Sequence, residues 1–86
     1  IHYYIRGEWE MRISIEYCTA WNYLPRAASL ANELLERYNT DIKELTLIPS
    51  GGGVFEVIKN DELIFSKKAL DRHAEEGEVM KLFESA

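Results

Sequence analysis

The amino-acid sequence predicts an α/β sandwich of the α+β kind, a mixed four-stranded sheet carrying helices in the order β-α-β-β-β-α. Three observations predict it. Residues 11–17 alternate apolar and polar side chains, the period of a strand with one buried face. Residues 24–38 repeat apolar side chains at three- and four-residue steps, the period of an amphipathic helix. Two short apolar runs, 54–59 and 63–66, flank the turn-forming stretch Asn60-Asp61-Glu62.

Taken in order, Met11, Ile13, Ile15 and Tyr17 alternate with Arg12, Ser14 and Glu16 and define the first strand. Cys18-Thr19-Ala20-Trp21 reads as a short loop. Asn22 reads as the N-cap of the helix, and Pro25 suits a first helical turn. The helix buries Leu24, Ala27, Ala31, Leu34 and Tyr38, a face widened by Ala28 and Leu35. Glu33 and Arg37 are spaced to pair on its wet side. Asn39 closes it, since asparagine tolerates a left-handed cap. Residues 42–48 form the second strand and lead into Pro49-Ser50-Gly51-Gly52-Gly53. The last two strands make a tight antiparallel hairpin. A helix near 76–84 follows, with Val79, Leu82 and Phe83 on its apolar side. A strand-helix-strand crossover sets the first two strands parallel and is almost always right-handed. This is the minimal thioredoxin-like arrangement.

Residues 1–10 stand apart from this pattern. They read either as an extension outside the 11–86 domain or as an added edge strand, because Ile1, Tyr3 and Ile5 alternate. They show no charged stretch followed by an apolar run, so a secretory signal is not expected.

Composition narrows the function classes. With 86 residues the chain has room for one modest core. Its 47% hydrophobic and 29% charged residues are ordinary for a globular domain, which excludes disorder as the explanation. No apolar run approaches the roughly 20 residues that span a bilayer, so no membrane partner is expected. A net charge of −5 argues against nucleic acid, which demands a basic face. One cysteine rules out an intramolecular disulfide and a cysteine-based zinc site, and no metal or resident cofactor is expected. The expected setting is a reducing compartment, the cytoplasm, and the expected state a monomer or weak dimer.

Cys18 is the candidate for chemistry and is expected to be at least partly accessible; a single cysteine otherwise reads as an inert buried residue. Cys18 lies between a strand end and a helix start, where unpaired N–H groups and the helix dipole favour a thiolate. The carboxyl ends of parallel strands also form the usual crevice of open α/β sheets.

The stretch Glu16-Tyr17-Cys18-Thr19-Ala20-Trp21-Asn22-Tyr23, followed by Pro25-Arg26-Ala27, resembles the active-site segment of the selenoprotein W-like (Rdx) family. Residues 47–57, with Pro49-Ser50-Gly51-Gly52-Gly53-Val54-Phe55-Glu56-Val57, resemble that family's Pro-x-x-Gly-Gly-x-Phe-Glu-Val block. Residues 64–68 and 72–79 resemble its C-terminal section. The resemblance runs from Met11 to about Phe83. It implies a thioredoxin-like fold and thiol redox chemistry, with glutathione as co-substrate or partner protein thiols as substrates. Cys18 would be the catalytic sulfur. Residue 21 is where the family carries a second cysteine or a selenocysteine, and here it is Trp21. The selenocysteine codon UGA differs by one base from tryptophan's UGG. Trp21 therefore reads either as a selenocysteine position or as a genuine tryptophan packed over the cysteine.

Thr19, Arg26, Pro49, Gly51 and Gly52 are expected on the substrate side of Cys18. Arg26 suits a glutathione carboxylate and otherwise reads as a solvated helix residue. Pro49 stands where thioredoxin-like sites carry a cis proline, although a trans turn is the ordinary outcome. The glycine run lacks the Lys-Ser/Thr of a phosphate loop and reads as a turn that lets backbone approach the site. Trp21, Tyr23 and Phe65 read as an exposed apolar rim. His73 could act as an acid or base near neutral pH, but with no identifiable carboxylate relay it reads as surface, as does the Lys67-Lys68 pair. Two functions follow: a thiol- or selenol-based oxidoreductase, or a non-catalytic module that binds a partner protein around Trp21. A metal-binding module is disfavoured because one cysteine and one nearby histidine are too few ligands.

Overall fold

The structure, a computed structural model, describes residues 11–85. The two readings of residues 1–10 lie outside the described residues. Strand β1 spans Met11–Cys18, helix α1 Leu24–Tyr38, and a turn of 3-10 helix Asn39–Asp41. Strands β2 (Ile42–Ser50), β3 (Phe55–Lys59) and β4 (Glu62–Ser66) follow, then helices α2 (Lys67–Leu70) and α3 (Glu78–Ser85). The four strands form one mixed sheet in the order β2-β1-β3-β4. β1 runs parallel to β2 and antiparallel to β3, and β3 pairs antiparallel with β4. The expected mixed sheet and its strand directions are therefore present.

Strand β1 sits inside the sheet because it offers both apolar alternation and two free edges. Ile13, Ile15 and Tyr17 are buried on the helix side. They meet Phe55 and Val57 of β3, Phe65 of β4, Leu30 and Leu34 of α1, and Val79 and Phe83 of α3 in one core. The hairpin closes on two residues, not three. Asn60 and Asp61 both adopt positive φ (48° and 68°), the requirement of a two-residue turn matched to strand twist. Asn60 also ties the hairpin to β1. Its N–H donates to the Arg12 carbonyl at 2.9 Å, and its Oδ1 accepts from the Arg12 N–H at 2.8 Å.

Several local expectations are corrected. Asn22 is not the N-cap: it sits at φ 59° in the preceding turn, and Tyr23 takes the cap position with no side-chain cap bond. The buried stripe of α1 is Ala27, Leu30, Ala31 and Leu34, while Ala28 is exposed and Leu24 and Leu35 are about half exposed. Ala28 and Leu35 sit one step around the helix from that stripe, about 100° off its axis. Arg37 pairs across to Glu84 of α3 at 2.7 Å instead of with Glu33 along its own helix. Asn39 closes α1 as expected, but at φ 50° and ψ −123°, outside the left-handed helical region. Helix α2 was not foreseen. It is one turn, begun by Ser66, whose Oγ accepts the Ala69 N–H at 2.9 Å, and ended by Asp71 in the left-handed region.

The start of α3 is held electrostatically. Arg72 grips both carboxylate oxygens of Glu78 at 2.7 and 2.8 Å, and Glu78 Oε1 also accepts the Glu75 N–H at 2.9 Å. The Arg72 hydrogen bond, then the backbone bond, lower the Glu78 carboxyl from 4.5 to about 2.

Two stability predictions follow from this packing. Leu34→Ala empties a fully buried position and should cost about 2–5 kcal/mol in urea denaturation. Because the folded Glu78 pKa is depressed, its contribution is present above pH 4.5 and is lost as pH falls toward about 2. Glu78→Gln should lower the melting temperature at neutral pH, and the gap from the parent should close in acid; a gap independent of pH would contradict the Arg72 contact.

Candidate functional site

Cys18 is the last residue of β1, and the backbone on either side of it is fastened to two loops. Its N–H donates to the Val54 carbonyl at 3.0 Å, and the Thr19 N–H donates to the Ser50 carbonyl at 3.0 Å. Thr19 Oγ1 also donates to the Ser50 carbonyl, at 3.3 Å. Residues 19–22 then turn tightly: the Asn22 N–H donates to the Thr19 carbonyl and the Tyr23 N–H to the Cys18 carbonyl, both at 3.1 Å. This folds residue 21 back toward the end of β1. Cys18 and residue 21 thus share one turn, as the spacing requires.

The side chains behave differently from expectation. Cys18 is a free thiol with 0% exposure, which corrects the sequence-based expectation of a sulfur open at a crevice. Alternation along β1 breaks here, with Tyr17 and Cys18 both buried, because the strand ends between the 19–23 turn and the 50–54 turn. Trp21, by contrast, is 60% exposed. Its ring lies against Gly53 at the end of the glycine run. A Cβ added at Gly53 would stand 2.8 Å from Cε3 and 2.9 Å from Cη2 of the indole. Gly53 is also at φ 71°, so both backbone and neighbour demand glycine. The glycine run does serve close approach, but at Gly53. Gly51 and Gly52 are exposed and would meet nothing within 4 Å if given a Cβ.

The remaining expected residues divide. Thr19 is exposed and belongs to the turn through its two bonds to Ser50. Pro49 lies in β2 opposite Tyr17 with a trans peptide bond. Arg26 is exposed at the start of α1. It lines a groove of about 430 Å³ between α1 and the 73–80 segment, floored by Leu30, Phe55, Val79 and Met80 and flanked by His73. Phe65 is not part of an exposed rim; at 2% exposure it is core.

Residues read as surface turn out to border the turn. His73 is half-buried, edge-on to Tyr23 with ring centroids 4.5 Å apart, and near Phe55 at 6.2 Å. Burial lowers its pKa first, and the charges of Arg26 and Lys67 lower it further. Lys67 places its Nζ 5.6 Å from the Trp21 ring centroid and 5.8 Å from that of Tyr23. Trp21 and Tyr23 themselves pack edge to face at 6.1 Å. His73 and Lys67 both lie in stretches that resemble the family's C-terminal section, but no spacing in the sequence sets them beside the cysteine turn; the return of β4 and the loop after α2 bring them to residues 21–23. Among the described residues no cluster of His, Cys, Asp and Glu is suited to a metal ion, and no helix is long and apolar enough to cross a membrane.

Comparison with known proteins agrees with this geometry. The Rdx family model matches residues 12–85. A solved structure of a Bordetella parapertussis protein superposes with a TM-score of 0.81 at 32% identity, covering 87% of this chain and 95% of that one. The crystal structure of a selenoprotein W-related protein from Vibrio cholerae superposes with a TM-score of 0.81 at 29% identity, covering 88% of this chain and 95% of that one. No curated protein matches the chain. A family match that runs from β1 through the cysteine turn to α3, on a sheet shared with a selenoprotein W-related structure, means that the chain belongs to the Rdx family, with a thioredoxin-like fold.

Proposed function

We propose that this chain is a thiol- or selenol-based redox protein in which Cys18 is the reacting sulfur and glutathione, or a thiol of a partner protein, is the co-substrate. The observation that carries the reading is the placement of Cys18 at the end of the inner strand β1, in one hydrogen-bonded turn with residue 21. Membership of a redox-type family supports it. An unpaired cysteine suits a reducing cytoplasm.

In the proposed reaction the Cys18 thiolate attacks one sulfur of glutathione disulfide. A Cys18–glutathione bond forms, the glutathione disulfide bond breaks, and one glutathione thiolate leaves and takes up the proton that Cys18 gave to solvent. A sulfur or selenium at residue 21 would then displace the bound glutathione and close an internal bond to Cys18. With Trp21 there is no internal displacing group, so an external thiol must release the glutathione. Because Cys18 is buried, a local opening has to expose it before either exchange takes place.

A second reading, a non-catalytic module for a partner protein, is favoured by one contrast. Trp21 is 60% exposed while the thiol is fully covered. In that reading Trp21 is the contact and Cys18 packs. The codon at residue 21 separates the two: UGA favours the selenol protein and UGG the interaction module.

The decisive experiment uses Trp21→Cys. Under glutathione disulfide the parent protein should accumulate one glutathione on Cys18, released by added thiol. Trp21→Cys should instead be recovered about 2 Da lighter than its reduced form, without glutathione, and should reduce a model disulfide faster than the parent. A variant that stays a free dithiol under mild oxidant, or a parent already as active, sinks the dithiol reading of this turn in favour of the interaction module.

A further inference from the structure

The Lys67-Lys68 pair splits into two different roles once folded. Lys68 is exposed and only its backbone is engaged, its N–H donating to Glu56 Oε2 at 3.2 Å. Lys67 is half-buried and sits at the first position of α2. Among the described residues it has no carboxylate partner; its ammonium faces the rings of Trp21 and Tyr23, both inside the roughly 6 Å range of a cation–π contact.

Both sides of this contact are anchored. On one side, Ser66 caps α2 and its Oγ donates to Glu56 of the neighbouring strand, while the Asp71 N–H donates to the Lys67 carbonyl at 2.6 Å. Lys67 therefore projects from a fixed base. On the other side, the Trp21 ring rests on Gly53, and Tyr23 is held edge-on by His73. The backbone between those rings belongs to the turn that starts at the buried Cys18 and is closed by the Tyr23 N–H to the Cys18 carbonyl. Any movement that uncovers the sulfur by lifting residues 19–23 must pull the rings away from the ammonium.

We propose that Lys67 is a positioning residue that clasps the side chains of residues 21 and 23 and holds shut the turn over Cys18, so that release of this clasp governs how often the buried sulfur meets its substrate. The proposal rests on the reading of Cys18 as the reacting sulfur. Contacts of this kind at exposed sites shift an equilibrium by about two- to fivefold, and the opening of the turn is the equilibrium they bias.

The test compares the parent with Lys67→Gln and Lys67→Arg, each in a Trp9→Phe background so that Trp21 is the sole indole emitter. Iodoacetamide, which is uncharged, reports access to Cys18 without electrostatic steering. Lys67→Gln should be alkylated about two- to fivefold faster and should red-shift the Trp21 emission. Lys67→Arg, which keeps a cation over the rings, should restore both parental values. Parental alkylation and emission in Lys67→Gln, or Lys67→Arg behaving as Lys67→Gln, would overturn the proposal. If Lys67→Gln does not fold, Trp21→Ala removes the other half of the clasp and must raise the alkylation rate; an unchanged rate there also overturns it. Failure of the redox reading has a separate signature: no variant takes up glutathione, while the alkylation and emission changes persist and uphold the clasp.

Discussion

Hydrogen bonding along both edges of β1 is the constraint on which the rest of this structure depends. A strand paired on one side only would leave its end free to fray. Here β1 is parallel to β2 and antiparallel to β3 along its length, and the pairing continues into the loops through the Cys18–Val54 and Thr19–Ser50 bonds. The parallel partner requires a crossover, and α1 supplies it while covering the apolar face of the sheet. The consequence is local. The ends of β1 and β2 lie side by side, and the cysteine, the turn after it and the glycine run must share one small space.

That crowding explains the character of the site. The sulfur is withdrawn from solvent, and the large side chain three residues later is pushed outward over a glycine that cannot carry a Cβ. An exposed indole is costly to leave in water, and its apolar surface is partly offset by Gly53, Tyr23 and the ammonium of Lys67. The basic groups at this end, Arg26 and Lys67, stand out in a chain of net charge −5. Desolvation lowers the pKa of the half-buried His73 first, and the charges of Arg26 and Lys67 lower it further.

Much of the architecture was legible because it rests on short-range periodicity. Alternation at residues 11–17 and helical spacing at 27, 31, 34 and 38 report which face of each element meets the core, and the core is where those faces went. Local signals failed where two positions competed for one task. Asn22 looks like a cap, yet its tolerance of positive φ was used to turn the chain one residue earlier. The three turn-forming residues 60–62 promise a hairpin but do not say that the ladder begins at Glu62. Helix α2 is a single turn, too short for any periodicity to reveal.

By itself the sequence determined the order of the four strands and of the two longer helices, the parallel pairing forced by a helical crossover, the family, and the one sulfur available for chemistry. Each of these is written in neighbouring residues or in residue counts. Only the tertiary structure decided that Cys18 is covered, that Phe65 is core and not rim, and that Gly53, not Gly51 or Gly52, receives the side chain of residue 21. It also decided that Lys67 and His73 border the turn and that Arg26 lines the groove that His73 flanks. The physical reason is common to all of them. Burial and side-chain contact at the end of a sheet depend on how far each strand extends and where each loop returns, and those distances are set by the packed whole, not by the spacing of residues along the chain.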